Sequence, residues 1–332
     1  MSEVTNERPL IQVKDLKEYF DINVGLFRSK PLKAVDGVSF DIKKGETLGL
    51  VGESGCGKTT LGRTILHLTD PTSGKIVFDG KDISAPTGRD LTEMREHMQI
   101  IFQDPYSSLN PRMSVSETIM EPLMIQGQMS KTEMLEETRK LMDVVGLASH
   151  YENAYPHELD GGRRQRIGIA RALALTPEFI VCDEPVSALD VSIQAQIINL
   201  MLDLQEERKL TYMFVTHDLS VVKYISDDIM VMYLGQMVEK APSATLFKAP
   251  MHPYTQALLS AIPEPSIHNK MKRIIMRGEI TSPINPKPGC RFMARCPHAS
   301  EVCAQPQELK EYEPGHFVSC CKCSEIRAGS AT

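Results

Sequence analysis

Short, unbroken apolar runs punctuate the first two thirds of the chain, at Thr47-Leu48-Gly49-Leu50-Val51, Gln99-Ile100-Ile101-Phe102, Phe179-Ile180-Val181-Cys182 and Tyr212-Met213-Phe214-Val215. Each is too short for a helix and lacks the alternation of a half-solvated strand, so each predicts a strand buried on both faces. Between them apolar residues return at helical spacing, and Val191, Ala195, Ile198 and Leu202 predict a stripe packed into the core. Strands alternating with helices predict an α/β fold with a mostly parallel sheet. The pattern changes near Pro250. Prolines at 250, 253, 263, 265, 283, 286 and 288 fix φ and remove backbone donors, which predicts an irregular segment appended to the body rather than part of its sheet. The expected division is a main domain over 8–250 and an extension over 251–332. No internal repeat or low-complexity tract interrupts either part.

Composition narrows the class. The chain has 332 residues, 42% hydrophobic and 24% charged, as in a globular protein with a full core. Its 37 Lys+Arg against 43 Asp+Glu leave a net charge of −6, which excludes a cationic nucleic-acid binder. Between 241 and 332 the balance is 11 basic to 7 acidic residues, a mildly basic and solvated surface. The longest apolar runs, such as Ile229–Leu234, fall far short of the ~20 residues that cross a bilayer. The N-terminus has no cationic start followed by an apolar stretch, so a cytosolic chain is expected. Of eight cysteines, Cys56 and Cys182 lie apart in the body, where small buried packing residues are expected. The other six (Cys290, Cys296, Cys303, Cys320, Cys321, Cys323) crowd the end. In a cytosolic chain such crowding favours a metal site over a disulfide frame.

The candidate chemistry starts at Gly52-Glu53-Ser54-Gly55-Cys56-Gly57-Lys58-Thr59, which satisfies G-x-x-x-x-G-K-[ST] at every fixed position. An apolar strand precedes it and a helix-forming run that includes Thr60 follows. In that context the glycines let backbone N–H groups close around phosphates and the helix aims its positive end at them. Lys58 is expected to reach the β- and γ-phosphates and the Thr59 hydroxyl to ligate Mg²⁺. Phe179-Ile180-Val181-Cys182-Asp183-Glu184 is an apolar strand ending in two acids. Beside a phosphate loop, Asp183 is the expected Mg²⁺ holder and Glu184 the group that polarises an attacking water.

Gln103 after its strand, Leu159-Asp160-Gly161-Gly162-Arg163-Arg164-Gln165-Arg166, Ser187-Ala188-Leu189-Asp190 and Thr216-His217-Asp218 follow in an order that resembles an ATP-binding cassette (ABC) ATPase from about residue 10 to 250. The resemblance implies a P-loop NTPase fold: a RecA-like parallel core with an antiparallel β subdomain and a helical subdomain, plus the small cysteine-rich extension. It further implies ATP and Mg²⁺, with Phe20, next to Tyr19, stacking on adenine. Gln103 is then a contact to Mg²⁺ and water, His217 a switch at the γ-phosphate, and Asp190 part of a loop that meets a second subunit. In this family ATP is closed between the phosphate loop of one subunit and the signature loop of another.

Gln103–Arg112, His252-Pro253-Tyr254-Thr255-Gln256-Ala257-Leu258-Leu259 and Leu61-Gly62-Arg63 resemble the F-type ATPase subunit of dipeptide and oligopeptide importers. That implies a heterodimer with a second ATPase subunit at the cytoplasmic face of the membrane, beneath two permease subunits. An extracellular substrate-binding protein is then an indirect partner, and no nucleic acid is involved. Nickel or another small solute as cargo, a soluble ABC ATPase outside transport, and a non-hydrolysing regulatory cassette stand as alternatives.

The signature loop departs from the family, which usually has Ser and Gln where this chain has Asp160 and Arg163 around Gly161 and Gly162. A carboxylate only accepts hydrogen bonds, and it repels a phosphate charge by about 4 kcal/mol at about 4 Å in a medium of effective dielectric near 20. The site capped by this loop is therefore expected to be degenerate unless Arg163 neutralises Asp160. In the extension, Cys290-x5-Cys296-x6-Cys303 and Cys320 lack the tight pairs usual for zinc and match no standard ferredoxin run. The resemblance implies a [4Fe–4S] cluster on these four, with zinc or free thiols as alternatives and Cys321 or Cys323 as other fourth ligands.

Overall fold

The computed structural model describes residues 8–25, 28–262, 273–276, 278, 279 and 281–329. The sequence expectations that fall on 263–272, including Pro263 and Pro265, lie outside the described residues. The chain divides into two compact units, one from 1–43, 47–85 and 216–332, the other from 44–46 and 86–215.

In the first unit the long strands β1 (Ile11–Gly25) and β2 (Arg28–Ile42) pair antiparallel, and β4 (Ser73–Phe78) joins the other side of β1 with the short β5 (Lys81–Asp82) beyond it. The fully buried β3 (Thr47–Val51) leads into α1 (Lys58–Ile65). β3 runs parallel to β9 (Asp228–Tyr233), which pairs antiparallel with β10 (Gln236–Pro242). Helices α7 (Leu219–Ile225), α8 (Ser243–Lys248) and α9 (Pro253–Leu259) flank this part.

The second unit holds a parallel trio, β6 (Met98–Ile101), β7 (Phe179–Asp183) and β8 (Thr211–Thr216), with β7 in the middle. All of β7 and β8 is buried, as their unbroken apolar sequences require. Around them stand α2 (Gly88–His97), α3 (Val115–Gln126), α4 (Lys131–Val144), α5 (Gly161–Leu173) and α6 (Val191–Arg208). Capping boxes at Ser114/Glu117 and Ser130/Glu133 start α3 and α4, each satisfying two otherwise orphan backbone donors.

Two expectations need correction. The α6 stripe is out of phase at its start: Val191 is 82% exposed and Ala195 is exposed, while Ile197, Ile198, Met201 and Leu204 form the buried face. Apolar residues spaced by three and four occur on both sides of this helix, so spacing alone did not select the packed side. The extension is also not separate from the sheet. Strands β11 (Lys310–Glu313) and β12 (His316–Val318) form a hairpin, and β12 pairs with β10. An open edge of β10 offers backbone donors and acceptors that a neighbouring strand satisfies, and Gly315 at φ +74° supplies the turn. α10 (Cys323–Gly329) follows.

Candidate nucleotide-binding site

The phosphate loop lies in the first unit, between β3 and α1. Its shape depends on glycine. Gly57 has φ +101°, and a Cβ there would sit 2.0 Å from the Ala34 carbonyl oxygen, so only a residue without a side chain can open α1 at this point. No side chain caps α1. An anion placed at this end would lie in the field of the helix N-terminus. Lys58 is 5% exposed, and its Nζ donates to the carbonyls of Gly52 at 2.8 Å and Glu53 at 3.1 Å. Cys56 is buried against this lysine, as its reading as a packing residue requires, and burial pushes its thiol pKa up.

Glu53 is held on every side. Its N–H donates to the Tyr254 hydroxyl at 2.8 Å, and its carboxylate takes a two-point fork from Arg295, at 2.6 and 3.1 Å. Tyr254 comes from the His252-Pro253-Tyr254 segment at the start of α9 and is fully buried. Arg295 precedes Cys296. Neither was assigned to the loop from sequence, because they lie 201 and 242 residues from Glu53. On β1, Phe20 sits opposite Leu32 and Tyr19 opposite Lys33. The Tyr19 hydroxyl is taken by Asp36, which also pairs with Arg291, and Lys33 lies over the Tyr19 ring at 5.1 Å. Burial works to raise the Asp36 pKa, but the hydroxyl and the two cations leave it below the ordinary aspartate value. His217 follows β8 and directly precedes Asp218, which caps α7 by accepting from the Ser220 N–H at 2.8 Å.

The acids lie in the second unit. Asp183 closes β7 and is 2% exposed. Glu184 leaves the strand at φ +48°, a left-handed backbone that costs a non-glycine residue about 1–2 kcal/mol. The turn is fixed by Glu184 N–H to the Val215 carbonyl at 2.9 Å and by the Ser187 N–H and hydroxyl to the Glu184 carbonyl at 3.2 and 3.1 Å. The left-handed turn breaks the strand at Glu184, whose carboxylate accepts from the Gln103 Nε2 at 2.9 Å. Gln103 and Glu184, assigned separate roles from sequence, are thus brought together by the ends of β6 and β7.

In the signature loop, Asp160 caps α5 by accepting from the Arg163 N–H at 2.8 Å, and the Arg163 guanidinium pairs with the same carboxylate while lying 5.0 Å from the Tyr151 ring. Gly162 is required by packing: a Cβ there would meet Ile193 at 2.6 Å.

Cys290, Cys296, Cys303, Cys320 and Cys321 line one cleft of the extension, and Cys303 and Cys321 have their sulfurs 3.7 Å apart. Cys323 instead packs with Met251 and Val318. Burial pushes the thiol pKa of Cys290 to about 11 and of Cys320 to about 12. The soft sulfur donor set suits iron–sulfur or zinc chemistry. Among the described residues, however, no three His, Cys, Asp or Glu side chains are placed to hold a metal ion.

The architecture and the glycine-shaped loop ending in a helix-opening lysine define a P-loop nucleoside triphosphatase fold. Comparison with known proteins narrows this. The ABC transporter family matches residues 35–187, and the C-terminal region of oligopeptide/dipeptide transporters matches 238–303. The oligopeptide transport ATP-binding protein AppF of Bacillus subtilis is 52% identical over 321 residues, covering 95% of this chain and 98% of its own. The dipeptide transport ATP-binding protein DppF of Escherichia coli is 48% identical over 320 residues, with 96% of each chain covered. Among solved structures, a dimeric ATP-binding cassette in a post-hydrolysis state, bound to ADP and Pi, superposes with a TM-score of 0.63 at 28% identity, over 70% of this chain and 98% of that one. This chain belongs to the ABC transporter family of ATPases, in the branch that carries the oligopeptide/dipeptide C-terminal region.

Proposed function

We propose that this chain is the ATP-hydrolysing subunit that powers import of dipeptides or oligopeptides through a membrane transporter. The observation that carries this is the close likeness, over nearly the whole length, to ATP-binding proteins named for oligopeptide and dipeptide transport. Among the described residues no helix is long and apolar enough to cross a membrane, so two permease subunits build the path. This chain sits against their cytoplasmic face, and an extracellular substrate-binding protein supplies cargo without touching it. A second ATPase subunit completes the pair, a pairing supported by the dimeric state of the similar solved cassette.

The residues divide the work. Gly52–Thr60 and Lys58 bind the triphosphate, Phe20 stacks on the base, and Thr59, Gln103 and Asp183 are hard oxygen donors suited to Mg²⁺. When bound, Mg²⁺ neutralises charge between the β- and γ-phosphates. Glu184, oriented by Gln103, draws the proton of the attacking water as it adds to the γ-phosphorus and the bond to the bridging oxygen breaks, leaving ADP and inorganic phosphate, and His217 holds the γ-phosphate oxygens. Asp160–Arg163 face the partner's ATP. The site they cap is the weaker of the two, because Arg163 offsets the Asp160 charge without supplying the missing donor. In the extension, Cys290, Cys296, Cys303 and Cys320 would hold a structural [4Fe–4S] cluster, or zinc, a reading supported by the soft thiol donors and not by their placement among the described residues.

Affinity isolation of the tagged chain from membranes, under anaerobic conditions, tests this. Expected are two membrane subunits, a second ATPase and, on chemical analysis, iron and sulfide. Recovery with nucleic acid or ribosomes and no membrane subunit would overturn the transport reading, and zinc without iron would overturn the cluster.

A further inference from the structure

Two arginines on one turn of the extension reach carboxylates at two places in the proposed nucleotide site. The turn is well fixed. The Cys290 N–H donates to the Cys303 carbonyl at 2.8 Å, Met293 to Cys290 at 3.0 Å and Arg295 to Phe292 at 2.9 Å. Phe292, 1% exposed, packs against Tyr233 and Tyr254 with ring centroids 5.3 Å apart in each case. From this turn Arg295 forks onto Glu53, while Arg291 pairs with Asp36 and donates to the Leu234 carbonyl. Both side chains are nearly sealed from solvent, at 8% and 5% exposure.

Sealed ion pairs are a poor way to gain stability alone, since desolvation offsets most of the attraction. What an arginine fork does supply is a fixed geometry for the group it grips. Glu53 is gripped at three atoms, its N–H by Tyr254, its carboxylate by Arg295 and its carbonyl by Lys58. A shift of Glu53 therefore shifts the carbonyl on which Lys58 rests. Asp36 in turn holds Tyr19, the strand neighbour of Phe20.

We propose that the Cys290–Cys296 turn positions the nucleotide site: Arg295 holds the phosphate loop through Glu53, and Arg291, through Asp36 and Tyr19, holds the strand that carries Phe20. This rests on the nucleotide-site reading above. Arg291, Arg295 and Tyr254 are positioning residues, acting through Glu53 and Asp36.

The test titrates the full-length chain with Mg·ATP by calorimetry and measures turnover of the assembled complex at saturating ATP. Arg295→Ala is expected to weaken Mg·ATP about tenfold, the effect of losing a charge-assisted contact, with saturated turnover held within about twofold as for a loss of binding alone. Arg295→Lys should recover part of the affinity. The double variant Arg295→Ala/Glu53→Ala leaves no unpaired buried charge and should stay as weak as the single variant. Arg291→Ala should weaken binding in the same way. An ion pair that served only stability would give the opposite result, a lower melting temperature with normal affinity. Wild-type affinity in the folded double variant overturns the phosphate-loop half of the proposal, and wild-type affinity in Arg291→Ala overturns the other half. Lys58→Ala runs alongside: if it binds Mg·ATP normally, the site reading itself fails rather than this inference.

Discussion

The cap that Asp160 forms conflicts with the role proposed for it. As the cap of α5 it accepts the Arg163 N–H, and aspartate is among the best residues for that position, worth about 1 kcal/mol over alanine. In the role proposed for it, facing a partner's nucleotide, it would bring a carboxylate where the resembled family brings a hydroxyl donor. The Arg163 pair was legible as an i,i+3 possibility in the sequence, and it removes the charge objection without restoring the donor. Asp160→Ser keeps a good cap and adds the O–H. ATP turnover of the assembled complex should rise with this change while the melting curve stays nearly fixed; unchanged or lower turnover would show that both sites already work. Residues whose partners are local were readable in this way. Glu184 and Gln103 were each singled out by their place after an apolar strand, but neither their mutual hydrogen bond nor the left-handed backbone of Glu184 was readable, because that φ is imposed by Val215 and Ser187 rather than by the residue type. Arg295 and Tyr254 were unreadable as loop partners, since no short-range pattern encodes a contact across two hundred residues.

At the level of elements, all four strands were evident because unbroken apolar runs leave few alternatives, although β6 is only half-buried at Gln99 and Ile100 and stops short of Phe102, and the hairpin of β11 and β12 was missed because its strands are short and mostly polar outside Phe317 and Val318. What fastens it is a buried carboxylate. Glu239, on β10, is fully buried and accepts from the N–H groups of Met251 and His252 at 2.7 and 3.0 Å and pairs with the His316 Nε2 at 2.7 Å. His252 caps α9 through Nδ1, which accepts from the Tyr254 N–H at 3.1 Å. Burial lowers the His252 pKa from 6.5 to about 4, against the opposing pull of Glu239. The unfolded chain therefore takes up this proton first, and folding stability falls as pH drops from about 6.5 towards 4, with no contribution above that window. His252→Asn keeps a capping acceptor that does not titrate. Its melting temperature should decline less steeply than that of the wild type across this range; parallel slopes would contradict the assignment.

For the whole molecule, class was legible from the phosphate loop in its strand–helix context and from the order of the motifs around it, among which Gln103 and His217 are weak alone. The structure adds that the cysteine-rich end is built into the same unit as the phosphate loop, through β12, Tyr254 and the two arginines. Sequence texture pointed the other way, since prolines mark where regular periodicity stops and carry no information on what the segment docks against. In the proposed mechanism, ATP is bound at the loop preceding Lys58 and hydrolysed there to drive transport. The direct measurement is ATP turnover by the membrane complex assembled with wild-type chain and with Lys58→Ala. Loss of most of the turnover, with the complex intact by subunit composition, is the predicted result; turnover equal to wild type would place the engine elsewhere.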